Sequence, residues 1–143
     1  MDKQDIILAA FAAAKRAVFT PVQVQKLLFL IDMKIPEQVG GPFFEFVPYD
    51  YGPFDKDVYQ QLEELAKNEL VEILPCPGLS WNKYQLTVEG QERGEEVLSE
   101  LAPEVADYLR SLSQFVRSLS FAELVSSIYR AYPDMRVNSV FRN

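Results

Sequence analysis

Apolar residues recur at three-to-four spacing through one stretch after another of this 143-residue chain, and Pro, Gly, Ser or Thr marks most boundaries between them. This constrains the fold more than any other feature, because a 3.6-residue period hides one face of a helix, whereas a strand needs a period of two. The spacing predicts helices over 3–16, 21–33, 55–67, 88–101, 104–117 and 121–132. Ile6, Ile7, Ala10, Phe11 and Ala14 form the stripe of the first helix, and Val24, Leu27, Leu28 and Ile31 that of the second. Val58, Leu62 and Leu65 line the third, and Val88, Val97, Leu98 and Leu101 the fourth. Val105, Leu109, Leu112 and Val116 serve the fifth, and Leu124, Val125 and Ile128 the sixth. Thr20-Pro21-Val22-Gln23 and Ser120-Phe121-Ala122-Glu123 are start signals: each hydroxyl can accept from the third helical N–H while the Gln or Glu reaches back. Pro21 suits a first helical position.

Two regions break the helical pattern. Phe43 to Val47 is aromatic and predicts a short strand, and Tyr49-Asp50-Tyr51-Gly52-Pro53 is turn chemistry. Leu70 to Leu74 and Lys83 to Leu86 alternate as strands around Pro75-Cys76-Pro77-Gly78, which makes a hairpin. Gly90 and Gly94 weaken the fourth helix by about 1 kcal/mol each relative to alanine, a penalty that suits a close approach by a neighbouring element. The expected fold is therefore mainly α with a small antiparallel β-hairpin. Its element order is that of a winged helix, with the second and third helices as the helix pair and the hairpin as the wing. Residues 1–143 form a single domain in this reading, a winged-helix core over 1–101 and a helical extension over 102–143. Such added helices offer a surface to a partner or to a second copy. Fold alone settles no function.

Composition narrows the function classes. Histidine is absent, which removes the commonest general base and metal ligand. The formal charge of -7 is uneven, with -9 over residues 1–104 and +2 over 105–143. An acidic body disfavours generic attraction to phosphate backbones. No apolar run reaches the roughly 20 residues of a membrane span, and the Met1-Asp2-Lys3-Gln4-Asp5 start is unlike a signal peptide. With one cysteine, Cys76, no internal disulfide forms. The expectation is a cytoplasmic protein without membrane partner, metal or cofactor. No nucleophile–base pair or cofactor motif points to an enzyme.

Two segments carry a resemblance. Val24-Gln25-Lys26-Leu27-Leu28-Phe29-Leu30-Ile31-Asp32 is the first; Tyr51-Gly52-Pro53-Phe54, followed by Val58-Tyr59 and Leu62, is the second. In that order they resemble the Panacea domain, the SocA-like antitoxin family, and equally the YwgA-like proteins. The likeness runs from Val22 to Gly90 and includes Tyr84-Gln85-Leu86-Thr87-Val88-Glu89-Gly90. Family members more often carry a small aliphatic residue where Phe54 stands. The resemblance implies a prokaryotic toxin–antitoxin setting and non-catalytic binding to a protein partner, a toxin in that setting.

The residues leave rival readings side by side. The aromatic block Phe43, Phe44, Phe46, Tyr49, Tyr51 and Phe54 reads first as core, with Tyr49 and Tyr51 showing a polar edge, and second as a partner surface. Candidate partner-binding residues are Tyr49, Tyr51, Gly52 and Pro53 in the turn, and Arg110, Arg117 and Arg130, which suit an acidic partner. The alternative is a DNA-binding winged-helix transcriptional regulator, to which Lys15, Arg16 and Lys83 would bring phosphate contacts. Against it, the third helix carries Asp55, Asp57, Glu63 and Glu64 beside Lys56 and Lys67, which favours a solvated or protein-facing surface. Cys76, between two prolines with no basic neighbour, reads as a bystander thiol.

Overall fold

The computed structural model describes residues 1–141. It is mainly helical, with two small antiparallel sheets of two strands each. Helix α1 spans Lys3–Ala12, α2 Pro21–Lys34, and a single turn, α3, Pro36–Val39. Strands β1 (Val47–Tyr49) and β2 (Gly52–Phe54) form one hairpin, and α4 (Lys56–Lys67) follows. Strands β3 (Val71–Pro75) and β4 (Asn82–Leu86) form the second, and α5 (Val88–Ser99), α6 (Pro103–Ser118) and α7 (Phe121–Ala131) complete the chain before a 3-10 turn at Pro133–Arg136. No helix among the described residues is long and apolar enough to cross a membrane.

The start signals work as chemistry requires. Thr20 and Ser120 each accept from the N–H three residues on, and Gln23 and Glu123 return the bond to the cap N–H. Such caps stabilise a helix by about 1 kcal/mol each. Leu27, Leu28, Ile31, Val58, Leu62 and Leu65 are all buried, so α2 and α4 meet the core where their spacing places them. Helix α6 packs on α1 and α2, and its Ala106, Leu109, Leu112 and Val116 join the same core as α1. Helix α6 thus shares the core of the preceding residues.

Four expectations need correction. Helix α1 stops at Ala12 rather than at 16, because Lys15 and Arg16 take left-handed backbone angles, φ 51° and 64°. Nor is α1 amphipathic: every residue from Ile6 to Ala12 is buried, Leu8 and Ala9 included, since α2, α4, α5, α6 and β4 surround it. Val88, expected to face inward, is exposed in the first turn of α5, where packing passes to Gly90, Gly94 and Leu98. The strand expected over Phe43–Val47 begins only at Val47, so the turn sequence becomes a second hairpin, with Tyr49 opposite Gly52 and Pro48 opposite Pro53. Its cause lies in α2, where Asp32 takes up the main-chain N–H groups that a strand would have used.

Gly94 explains how α5 lies so close to α1. A Cβ there would stand 2.4 Å from the Leu8 carbonyl oxygen and 2.5 Å from Ala12 Cβ, closer than any real contact. Gly90 does the same against the Leu70 carbonyl, at 2.0 Å.

Candidate functional site: an aromatic cleft on a braced turn

Within the buried run of α2 sit three polar side chains, Gln25, Lys26 and Asp32, each at most 8% exposed. Buried polar groups are expected to find partners, and all three find them on one loop. Gln25 Nε2 donates to the Asp55 carbonyl at 2.9 Å, and the Asp55 N–H donates to Gln25 Oε1 at 3.0 Å. Lys26 Nζ donates to the Pro53 carbonyl at 3.2 Å. Asp32 accepts from the N–H groups of Phe43 and Phe44, at 3.0 and 2.9 Å. A helix that looks apolar in outline therefore anchors the whole 43–55 segment through its polar residues.

The same segment is held from its other side. Val140 N–H donates to the Asp50 carbonyl at 2.9 Å, Ser139 Oγ reaches that oxygen at 3.3 Å, and Asn138 Nδ2 donates to the Pro48 carbonyl at 3.2 Å. Tyr129 of α7 donates to Ser139 at 2.6 Å. Gly52 adopts φ +100°, and a Cβ there would come 3.1 Å from the Tyr129 ring, so a side chain would be strained by the backbone angle and would crowd that ring.

Above this braced turn lies a cleft of about 680 Å³. Its walls come from the start of α2, the Tyr49–Gly52 turn, Tyr59 of α4, Trp81 near the tip of the β3–β4 hairpin and Phe121 at the start of α7. Tyr49 stacks on Phe54 at 4.9 Å, Tyr51 meets Phe121 edge-on at 5.1 Å, and Phe54 leans on Tyr59 at 5.8 Å. Tyr49, Tyr51, Trp81 and Phe121 stay 39–51% exposed, which is unusual for aromatic rings gathered in one place. Gln25 and Lys26 also line the cleft. Burial pushes the Lys26 ammonium down to about 7, and burial pushes the Tyr59 phenol up to about 12 against a smaller opposing hydrogen bond from Gln25. Both shifts share the same leading cause: these groups are withdrawn from water.

The turn residues singled out from sequence thus meet in one place: Tyr49, Tyr51 and Gly52 line the cleft, and Pro53 supplies the carbonyl that holds Lys26. The aromatic block divides. Phe44 is buried, Phe43, Phe46 and Phe54 are half-buried, and Tyr49 and Tyr51 are exposed. The arginines lie elsewhere. Arg110 and Arg117 are exposed on α6, Arg110 paired with Asp107 at 2.8 Å. Arg130 lines a separate groove of about 480 Å³ beside Phe115, Glu123 and Arg136. Among the basic candidates, Arg16 is committed to the main chain, its Nε donating to the Leu86 carbonyl at 3.2 Å, while Lys15 is exposed and Lys83 half-buried on β4. Cys76 is half-buried in the β3–β4 loop, its Sγ 3.9 Å from the Leu74 carbonyl.

Sequence reasoning missed Gln25, Lys26, Asp32, Tyr59, Trp81 and Phe121 as site residues. A signal existed for the first three: they interrupt an apolar run, and Gln25 and Asp32, seven apart, share one helix face. Trp81 and Phe121 carried none, since tertiary packing alone brings them to the turn.

Comparison with known protein families, and with curated protein sequences, finds no match to this chain.

Proposed function

We propose that this chain is a non-catalytic protein-binding module of antitoxin or adaptor type, similar to the Panacea domain, working in the cytoplasm of a prokaryotic cell. Its partner, a toxin in that setting, docks in the aromatic cleft at the Tyr49–Pro53 turn. A winged-helix arrangement, with α2 and α4 as the helix pair and β3–β4 as the wing, belongs to this reading.

One observation carries it: exposed aromatic rings gather on a turn that is braced from both sides. Aromatic side chains dominate interface energetics, and a surface already ordered loses little entropy on binding. The arginine face has less in its favour, because Arg110 is engaged with Asp107 and, of the three arginines, only Arg130 lines the groove of about 480 Å³. The DNA-binding alternative meets exposed Glu63 and Glu64 on α4, which repel phosphate.

Site-specific photo-crosslinking tests the reading. A benzophenone side chain is placed at Tyr51, at Phe121, or at Glu96 on the exposed face of α5, and adducts formed in the native cell are identified by mass spectrometry. The same protein adduct at Tyr51 and Phe121, absent at Glu96, is the expected result. Adducts to nucleic acid, or the same yield at all three positions, would refute it.

A further inference from the structure

We propose that the aromatic cleft takes the C-terminal end of a partner polypeptide, with Lys26 receiving its terminal carboxylate and the aromatic walls its apolar last side chain. This rests on the protein-binding reading and names the chemistry of the segment bound.

Lys26 is an anomaly that the fold does not explain. An ammonium carries three donors, yet at 3% exposure Lys26 makes one hydrogen bond, to the Pro53 carbonyl, and forms no ion pair among the described residues. Buried charges are normally paired, because desolvation costs several kcal/mol that only an opposite charge offsets. Gln25 alongside is engaged by the Asp55 main chain and by Tyr59. The cleft thus offers one cation, poorly hydrated and without a salt bridge among the described residues, inside walls of Tyr51, Tyr59, Trp81 and Phe121, with Asp50 the one acidic residue among its lining. Its complement is an apolar group bearing one anionic group. Burial also pushes the Lys26 ammonium down to about 7.

A chain end fits better than an internal Asp or Glu. An internal residue brings main-chain N–H and C=O groups on both sides into the cleft, where six aromatic rings face only a few polar groups, Thr20, Asp50 and Ser80 among them, that could satisfy them. A chain end enters with one carboxylate and one side chain, leaving its backbone behind in water. Capture of terminal carboxylates is a recurring mode of peptide recognition, and about 680 Å³ lies within the range of ligand sites.

Trp81, the chain's one tryptophan, is a built-in reporter at the cleft. The full chain is titrated with N-acetylated Gly-Ser-Gly-Ala-X peptides, X being Leu, Ile, Val, Phe or Met, each as free acid and as C-terminal amide, while Trp81 emission is followed. At least one free acid is expected to bind about tenfold or more tighter than its amide, as loss of a charged hydrogen-bond partner requires. Lys26→Met is expected to abolish that preference, and circular dichroism checks that it folds. Should it not fold, the acid–amide comparison on the native chain decides alone. Octanoate, an apolar acid without peptide groups, is expected to bind more weakly than the best peptide. Matching affinity for octanoate would assign the cleft to free acids and overturn the chain-end proposal. Equal binding of acids and amides would overturn it too, while leaving protein docking in the cleft intact. No response to any free acid up to millimolar concentration would also overturn it, and the crosslinks at Tyr51 and Phe121 would then judge the broader reading separately.

Discussion

Gln25 and the Asp55 main chain exchange two hydrogen bonds, side-chain N–H to carbonyl at 2.9 Å and main-chain N–H to side-chain oxygen at 3.0 Å. The amide of one helix residue thereby imitates a neighbouring strand and fixes the point where β2 passes into α4. Gln25→Ala leaves a donor and an acceptor without partners in a half-buried setting, and each such loss costs about 1–3 kcal/mol. Urea denaturation of Gln25→Ala should show a loss in that range. Gln25→Glu should not rescue it, because a carboxylate cannot donate to the Asp55 carbonyl. A midpoint equal to that of the native chain would show that the clamp is ornamental.

At Gly94 two opposing effects can be weighed. Alanine gains about 1 kcal/mol of helix propensity over glycine. Against that, its methyl would stand 2.4 Å from the Leu8 carbonyl oxygen, and overpacking of this kind costs about 1–3 kcal/mol or more. The contact is with backbone of the most buried helix, so little can give way. Gly94→Ala is expected to lower the melting temperature by several degrees. A neutral or higher melting temperature would mean that α1 and α5 lie further apart than described.

Much of this architecture was legible in the sequence. Capping boxes at Thr20 and Ser120 set where α2 and α7 begin, and the spacing of Leu27, Leu28, Val58 and Leu62 identified the core faces, because both are local rules. What escaped depends on contacts distant in the chain. Helix α1 is surrounded, so Leu8 and Ala9 are buried against the amphipathic pattern. Residues 43–46 have strand composition, but Asp32 claims the N–H groups of Phe43 and Phe44 and holds that stretch out of any sheet. The cleft was half visible: Tyr49 and Tyr51 stood out as turn aromatics, whereas Lys26 looked like one more charged helix residue until its burial was known.

The pH dependence of stability should carry two opposite signs. Burial lowers Lys26 from 10.5 to about 7, so between those values the unfolded chain holds a proton that the folded chain has released. Stability therefore rises with pH across that window and is lost as pH falls through about 7. Tyr59 acts in reverse: raised from 10.0 to about 12, it contributes stability that is present below 10 and lost as pH rises through about 12; Tyr84, also raised by burial, shares that direction. Urea midpoints measured from pH 6 to 10 should rise for the native chain and rise less for Lys26→Met. Parallel curves for the two proteins would show that Lys26 is solvated.

The central claim is that the cleft at the braced turn, and not the arginine face, is where a partner docks. Its most direct test is the affinity of the crosslinked partner, purified, for three forms of the chain by titration calorimetry. Tyr51→Ala, altering an exposed ring that borders the cleft, should weaken binding by about 2 kcal/mol or more, roughly thirtyfold, with the fold intact by circular dichroism. The double variant Arg110→Glu, Arg117→Glu, altering exposed charges on α6, should leave affinity within about twofold. Native affinity in Tyr51→Ala together with a large loss in the arginine variant would contradict the claim and move the binding site to α6.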